Sequence, residues 1–215
     1  MIKRIFLKIL LAAVLAGASA TSASAQEMKD LFVAMPDSCA PQLESAWRKD
    51  LVDLFLSGKT ARLQNTMNGY TSLSALTDDY LCLQLTGRSR IELKRLPLVN
   101  HTYIICMVTT VYGPAPDSRV QFFTTGWQPL DGGRLLPRLP KDWYLKQPVD
   151  TASSAYQEAR ARLDMDLVRY DLSPDKQTLT ATYTTPLYLN ADEQKEIAPA
   201  LAAPKVYTWN KSAFE

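Results

Sequence analysis

An α+β protein with an extended, mainly antiparallel β-sheet is the fold class this sequence predicts, and three observations carry that reading. Four runs rich in β-branched, aromatic and aliphatic residues succeed one another between positions 79 and 127, punctuated by turn residues. A second hairpin pattern lies near the C-terminus, at 167–184. Around these strands run stretches whose apolar residues recur at helical spacing, and an isolated ribbon needs such a layer to bury its apolar face.

The central block reads as a β-meander. Its runs are Asp79 to Leu85, Ser89 to Lys94, Thr102 to Val108 and Ser118 to Thr125, separated by Thr86-Gly87-Arg88, Pro97 to His101 and Gly113 to Asp117. In the first, Leu81, Leu83 and Leu85 point one way and Tyr80, Cys82 and Gln84 the other. In the second, Ile91 and Leu93 oppose Arg90, Glu92 and Lys94, which reads as a solvated face. The third is apolar on both faces, so it is expected to be a central strand covered on both sides by helices.

Before the meander, Met28, Leu31, Phe32 and Met35 form a short amphipathic stripe that stops at Pro36. A longer helix is expected over 38–57, with Leu43, Trp47, Leu51, Leu54 and Phe55 facing the sheet and Ser57-Gly58 closing it. Residues 59–78 read as an edge hairpin. After the meander, Pro129, Pro137, Pro140 and Pro148 forbid long regular elements across 128–150, a segment that could subdivide the chain. Its leucines, with Trp143 and Tyr144, favour packing over free flexibility. Helices follow at 152–163 and at 192–202, the second capped by Asn190, as smaller covers of the sheet, and Lys205 to Trp209 forms a last strand.

The N-terminus sets the compartment. Lys3, Arg4 and Lys8 flank an apolar stretch, and Ala23-Ser24-Ala25 precedes Gln26, the pattern of a secretory signal peptide over 1–25 with one domain over 26–215. The apolar run is shorter than the roughly 20 residues that span a bilayer. No cysteine follows the cleavage site, so the expected product is periplasmic or extracellular, without a membrane span and not a lipoprotein. Without the three leader cations, 21 basic residues face 22 acidic ones, so the field that nucleic-acid binding uses is absent and no nucleic-acid partner is expected.

Most familiar chemistry lacks its signature. His101, the single histidine, sits in a turn, which removes imidazole-based metal sites and triads. No Walker loop, Rossmann fingerprint, nucleophile elbow or Cys-x-x-Cys is present. Neither a cofactor nor a metal is therefore expected. Cys39, Cys82 and Cys106 are too few for a disulfide scaffold; Cys82 and Cys106 fall on next-but-one strands roughly 10 Å apart, beyond bridging distance. Asp78-Asp79, Asp164-Met165-Asp166 and Asp192-Glu193 are the close acidic pairs that a glycosidic mechanism could use. Aromatic groups near loops, of the kind that stack on sugars or anchor a protein partner, are the other resource. The candidate binding residues are Tyr112, Asp117, Arg119, Trp127, Trp143 and Tyr144, with the Val111 to Ser118 turn beside Trp127 the first place to look; no residue is assigned a catalytic role.

In Leu31 to Ser38, Leu76 to Leu81, Val108 to Pro114 with Asp117-Ser118-Arg119, Asp164 to Leu167, Leu172 to Asp175, Thr184 to Leu189 and Val206 to Trp209, the chain resembles an uncharacterised family of secreted Bacteroidetes proteins, a domain of unknown function. The matching stretches span nearly all of the mature chain, which implies export and one family domain. The resemblance implies no activity, substrate or catalytic residue. The expected function is a non-enzymatic binding or interaction module for an envelope protein or glycan; the alternative is a glycan-directed hydrolase built on a carboxylate pair.

Overall fold

The computed structural model describes residues 27–146 and 152–215, so the signal-peptide expectation and the Pro148 end of the proline-rich segment lie outside the described residues. Helices α1 (Met28–Val33) and α2 (Ser45–Leu56) are joined through a 3₁₀ turn at Asp37–Cys39. The strands β1 (Arg62–Gln64), β2 (Tyr70–Leu76), β3 (Tyr80–Thr86), β4 (Ser89–Pro97), β5 (Tyr103–Val111), β6 (Asp117–Thr124) and β7 (Pro129–Leu130) follow in sequence order as one seven-stranded antiparallel meander. Next come the short α3 (Gly132–Leu135), α4 (Ser154–Arg162), β8 (Val168–Leu172), β9 (Thr178–Tyr183), α5 (Ala191–Ile197) and β10 (Lys205–Thr208). The last three strands form a separate sheet ordered β10-β9-β8. The fold is α+β, as the strand pattern predicts.

The alternation in the sequence maps directly onto two packed faces. Leu81, Leu83, Leu85, Ile91, Leu93, Ile105, Met107 and Phe123 meet Met28, Leu31, Phe32, Leu51 and Val52 of the two N-terminal helices. On the opposite face Tyr80, Ile104, Cys106, Val108 and Phe122 meet Val168, Leu172, Leu179, Ala181 and Tyr207 of the second sheet. The central strand β5 is thus covered on both sides, but its second cover is a sheet and not the expected helical layer. Helices α4 and α5 gather around a third cluster of Tyr144, Leu145, Leu163 and Ile197. The reason is composition: Ser154–Arg162 carries too little apolar surface to cover a sheet face, whereas β8 and β9 alternate apolar residues toward the meander.

Two further expectations are corrected. The 38–57 helix begins only at Ser45: residues 37–39 form a 3₁₀ turn that stops at Ala40, where Pro41 disfavours helical backbone and the chain is non-helical at φ −147°, ψ 73°, and Glu44 is still extended. The chain between is fastened by Arg48, 2 % exposed, which donates to Asp37 Oδ1 at 2.8 Å, to the Leu43 carbonyl at 2.7 Å and to the Met35 carbonyl. The face carrying Arg90, Glu92 and Lys94 is not solvated: Glu92 is 3 % and Lys94 1 % exposed. Strand alternation reports which residues share a face, and it does not report that another layer lies on top. These charges tolerate burial because each is paired. The Tyr80 hydroxyl donates to Glu92 Oε1 at 2.7 Å, Arg90 bridges Glu92 at 3.1 Å and Asp171 at 2.8 Å, and Lys94 pairs with Asp79 at 2.9 Å while donating to the Pro174 carbonyl at 2.8 Å.

The polar layer also closes an exposed edge. Strand β8 pairs with β9 on one side only, so the amides of Val168, Tyr170 and Leu172 point outward. Asp117 Oδ1 accepts from Val168 at 3.2 Å, Ser118 Oγ accepts from Tyr170 at 3.0 Å, and the Leu172 amide faces Glu92. Side chains of the meander therefore stand where a neighbouring strand would otherwise pair.

Candidate functional site

The six candidate residues fall into three places. Tyr112 and the Asp117–Arg119 segment lie at the β5–β6 end, Trp127 lies beneath α1, and Trp143 with Tyr144 lies in the packed segment after the meander. Trp127 is buried: its indole donates to the Leu31 carbonyl at 3.0 Å and its ring tilts against Phe123 at 5.3 Å. The turn and Trp127, the combination favoured from sequence, are not brought together, because β6 carries the chain from one end of the sheet to the other between them.

Tyr112 is half-buried, with the Arg90 guanidinium 5.7 Å from its ring centre. Burial pushes its hydroxyl up, and Arg90 opposes that shift. Asp117, although exposed, holds the β8 amide described above. Arg119 is exposed in an open groove of about 520 Å³, where Met107, Thr109, Val111, Gln121 and Phe123 form the floor beyond the reach of α2, with Ser38 and Cys39 on the rim. Cys39, Cys82 and Cys106 are unpaired thiols, and burial pushes Cys39 and Cys106 up, away from reactivity.

Trp143 and Tyr144 line a deeper cavity of about 600 Å³ together with Leu139, Lys141, Asp142, Arg160, Leu163, Asp164 and Asp166. Three segments converge to build it. The loop at 139–145 is held by an antiparallel bridge between Leu145 and Leu201 and by the Ala202 amide donating to the Tyr144 carbonyl at 2.7 Å. Helix α4, started by the Ser153 side chain accepting from the Tyr156 amide, presents Tyr156 and Arg160 four residues apart on one side. Both reach Asp142: the Tyr156 hydroxyl donates to Oδ2 at 2.8 Å and Arg160 to Oδ1 at 2.9 Å. Asp142 itself takes a left-handed φ of 56°, a conformation that aspartate tolerates better than most residues. The third segment, 164–167, is tied to the end of β9 where the Tyr183 hydroxyl and the Thr185 hydroxyl both donate to the Met165 carbonyl, at 2.8 and 2.7 Å.

The aromatic wall has a defined geometry. Tyr144 stacks on Tyr183 with ring centres 4.0 Å apart and planes 8° from parallel. Trp143 stands nearly perpendicular to both, at 6.4 and 6.1 Å. Burial, reinforced by their mutual approach and by Asp142, pushes the Tyr144 hydroxyl well above the ordinary phenol range; burial raises Tyr183, with Asp166 and Asp164 adding to the shift. Both phenols are thus neutral donors at physiological pH.

Of the three acidic pairs, only Asp164 and Asp166 line this cavity; Asp79 is engaged with Lys94 at the β2–β3 turn, and Asp192 lies in the first turn of α5. The cavity also contains two residues that sequence reasoning did not single out, Asp142 and Arg160. Their juxtaposition bridges 18 positions, and the one local signal was the Tyr156/Arg160 spacing on α4. Among the described residues, no group of three or more His, Cys, Asp or Glu side chains is arranged to hold a metal ion. No described helix is long and apolar enough to cross a membrane.

The family model "Protein of unknown function (DUF3256)" matches residues 20–214. A solved structure, described as a domain of an uncharacterized protein from Porphyromonas gingivalis W83, superposes with a TM-score of 0.78 at 29 % identity, covering 89 % of this chain and 99 % of that one. A search of curated proteins found no match.

Proposed function

The chain belongs to the DUF3256 family of proteins of unknown function, and from that premise we propose that it is an exported, non-enzymatic binding module of the bacterial envelope whose ligand site is the cavity between the 139–145 loop, α4 and the 164–167 segment. The observation that supports this reading is the convergence of a rigid aromatic pair, Trp143 and Tyr144, with fixed and free polar groups in one concave space. Tyr144 is locked by stacking and Asp142 by two hydrogen bonds, so the site is organised before any ligand arrives. The export reading rests on the leader at 1–25.

A hydrolytic reading draws on Asp164 and Asp166 in the same cavity. Both are exposed, and a glycosidic general acid needs a carboxyl in a drier setting than that. The binding reading therefore leads.

The test is a panel of soluble envelope glycan fragments and small metabolites screened by thermal shift and tryptophan fluorescence. A ligand of this site raises the melting temperature of the wild type and not of Trp143→Ala. A hit that binds Trp143→Ala equally well lies elsewhere and overturns the assignment. Turnover of a glycan by the wild type, lost in Asp164→Asn, would replace the binding reading with the hydrolytic one.

A further inference from the structure

We propose that helix α4 is the movable wall of this cavity, a strap latched closed by Asp142 and hinged at Leu163, so that access is gated by one ion pair and one hydrogen bond; this rests on the cavity being the ligand site. Arg160 and Leu163 line the cavity from the α4 side, and Asp142, Trp143 and Tyr144 line it from the 139–145 loop. The fastening between the two is polar. Asp142 accepts from the Tyr156 hydroxyl at 2.8 Å and from Arg160 at 2.9 Å, two residues about one helical turn apart, and so grips α4 by one face. The Asp142 side chain is 14 % exposed, which shields this pair from solvent more than an ordinary surface pair.

The composition of the helix makes it depend on this latch. Among its described side chains, the buried apolar ones, Ala159 and the capping Leu163, lie toward the C-terminal end, whereas Ser154, Gln157, Glu158, Ala161 and Arg162 are exposed. A further ion pair, Arg162 with Glu196 at 2.6 Å, lies at that same end and is exposed, so it contributes little. Leu163 marks the hinge: it sits in the third apolar cluster with Tyr144, Leu145 and Ile197, and its backbone at φ −108°, ψ 59° has left the helix. Beyond it the 164–167 segment is fixed through the Met165 carbonyl, which anchors this end of α4. Asp142 meanwhile holds a left-handed φ of 56°, a backbone cost that the latch sustains and that opening releases. A nine-residue helix is too short to persist in water without packing, so an unlatched α4 unravels instead of swinging out intact.

The experiment is hydrogen–deuterium exchange of the purified protein, read by mass spectrometry, and it requires no ligand. In Asp142→Asn, where the asparagine keeps an acceptor and tolerates the same backbone, the amides of 154–162 are expected to exchange about tenfold faster than in the wild type while those of β9 are unchanged. Tyr156→Phe, which leaves the ion pair intact, is expected to fall between the two. Glu196→Gln, which removes only the exposed pair, is expected to match the wild type. Unchanged exchange of α4 in Asp142→Asn, equal acceleration in β9, or an effect of Glu196→Gln as large as that of Asp142→Asn overturns the latch. A ligand that raises the wild-type melting temperature while α4 ignores Asp142→Asn removes the gate and leaves the binding reading. Latch-dependent exchange with no ligand found in the glycan and metabolite panel removes the binding reading and leaves the strap.

Discussion

Glu92 on β4 accepts a 2.7 Å hydrogen bond from the Tyr80 hydroxyl on β3, inside the layer where the second sheet covers the meander. Burial raises the Glu92 carboxyl above the ordinary glutamate range, while Tyr80 and Arg90 pull it back. Around it stand Cys82 on β3, Arg90 and Lys94 on β4, Cys106 on β5, and Asp171 on β8. The folded state thus holds this proton more tightly than the unfolded chain. Its contribution to stability is complete below the unfolded value, about 4.3, and is lost as pH rises through the raised folded value. Urea unfolding across a pH series is expected to show that loss in the wild type and a flatter profile in Glu92→Gln. Identical profiles for the two proteins would remove Glu92 as the cause.

Arg48 donates to the Met35 and Leu43 carbonyls and to the Asp37 side chain at once, so replacing it leaves those two buried carbonyls without this donor. Arg48→Met is expected to lower unfolding free energy by about 3 kcal/mol. Arg48→Lys, with a single point of charge in place of a fork, is expected to recover part of that loss. Chemical denaturation of both variants checks the order; a fully stable Arg48→Met would show that the 3₁₀ turn does not depend on this anchor.

Tyr207 is 1 % exposed and its hydroxyl has no hydrogen-bond partner among the described residues. A buried, unsatisfied hydroxyl is unfavourable, so Tyr207→Phe is expected to stabilise the protein by about 1 kcal/mol. A lower melting temperature in that variant would mean that an ordered water satisfies the hydroxyl.

Asp117 and Ser118 stand in for a missing neighbour strand along β8. Asp117→Ala is expected to cost about 1 kcal/mol and to speed amide hydrogen exchange at Val168 more than at Ala181 on the central strand β9. Uniform acceleration across the sheet would point to global destabilisation and not to loss of an edge cap.

Local chemistry made much of this architecture readable. Alternation at Leu81, Leu83 and Leu85 identified a packed face, and the turns at Thr86-Gly87-Arg88 and Pro97 to His101 fell between the strands they separate. Asn190 caps α5, accepting from the Asp192 and Glu193 amides, and Gly58 closes α2 at φ 70°. Among the candidate residues, Trp143 and Tyr144 do share a cavity with Asp164 and Asp166. Trp127 misled because a loop-proximal aromatic looks the same in sequence whether it lies over a site or, as here, under a helix.

By itself, then, the sequence determined the central strands of the meander, the C-terminal hairpin, the Asn190 cap and the family, because periodicity, turn propensity and capping act over a handful of neighbouring residues. Tertiary structure alone decided that the Arg90, Glu92 and Lys94 face is buried and that Asp142, Trp143, Arg160 and Asp164 enclose one space. Those outcomes depend on how layers stack, pairing Arg90 with Asp171 across 81 positions, and no local pattern encodes which charged face a distant sheet will cover.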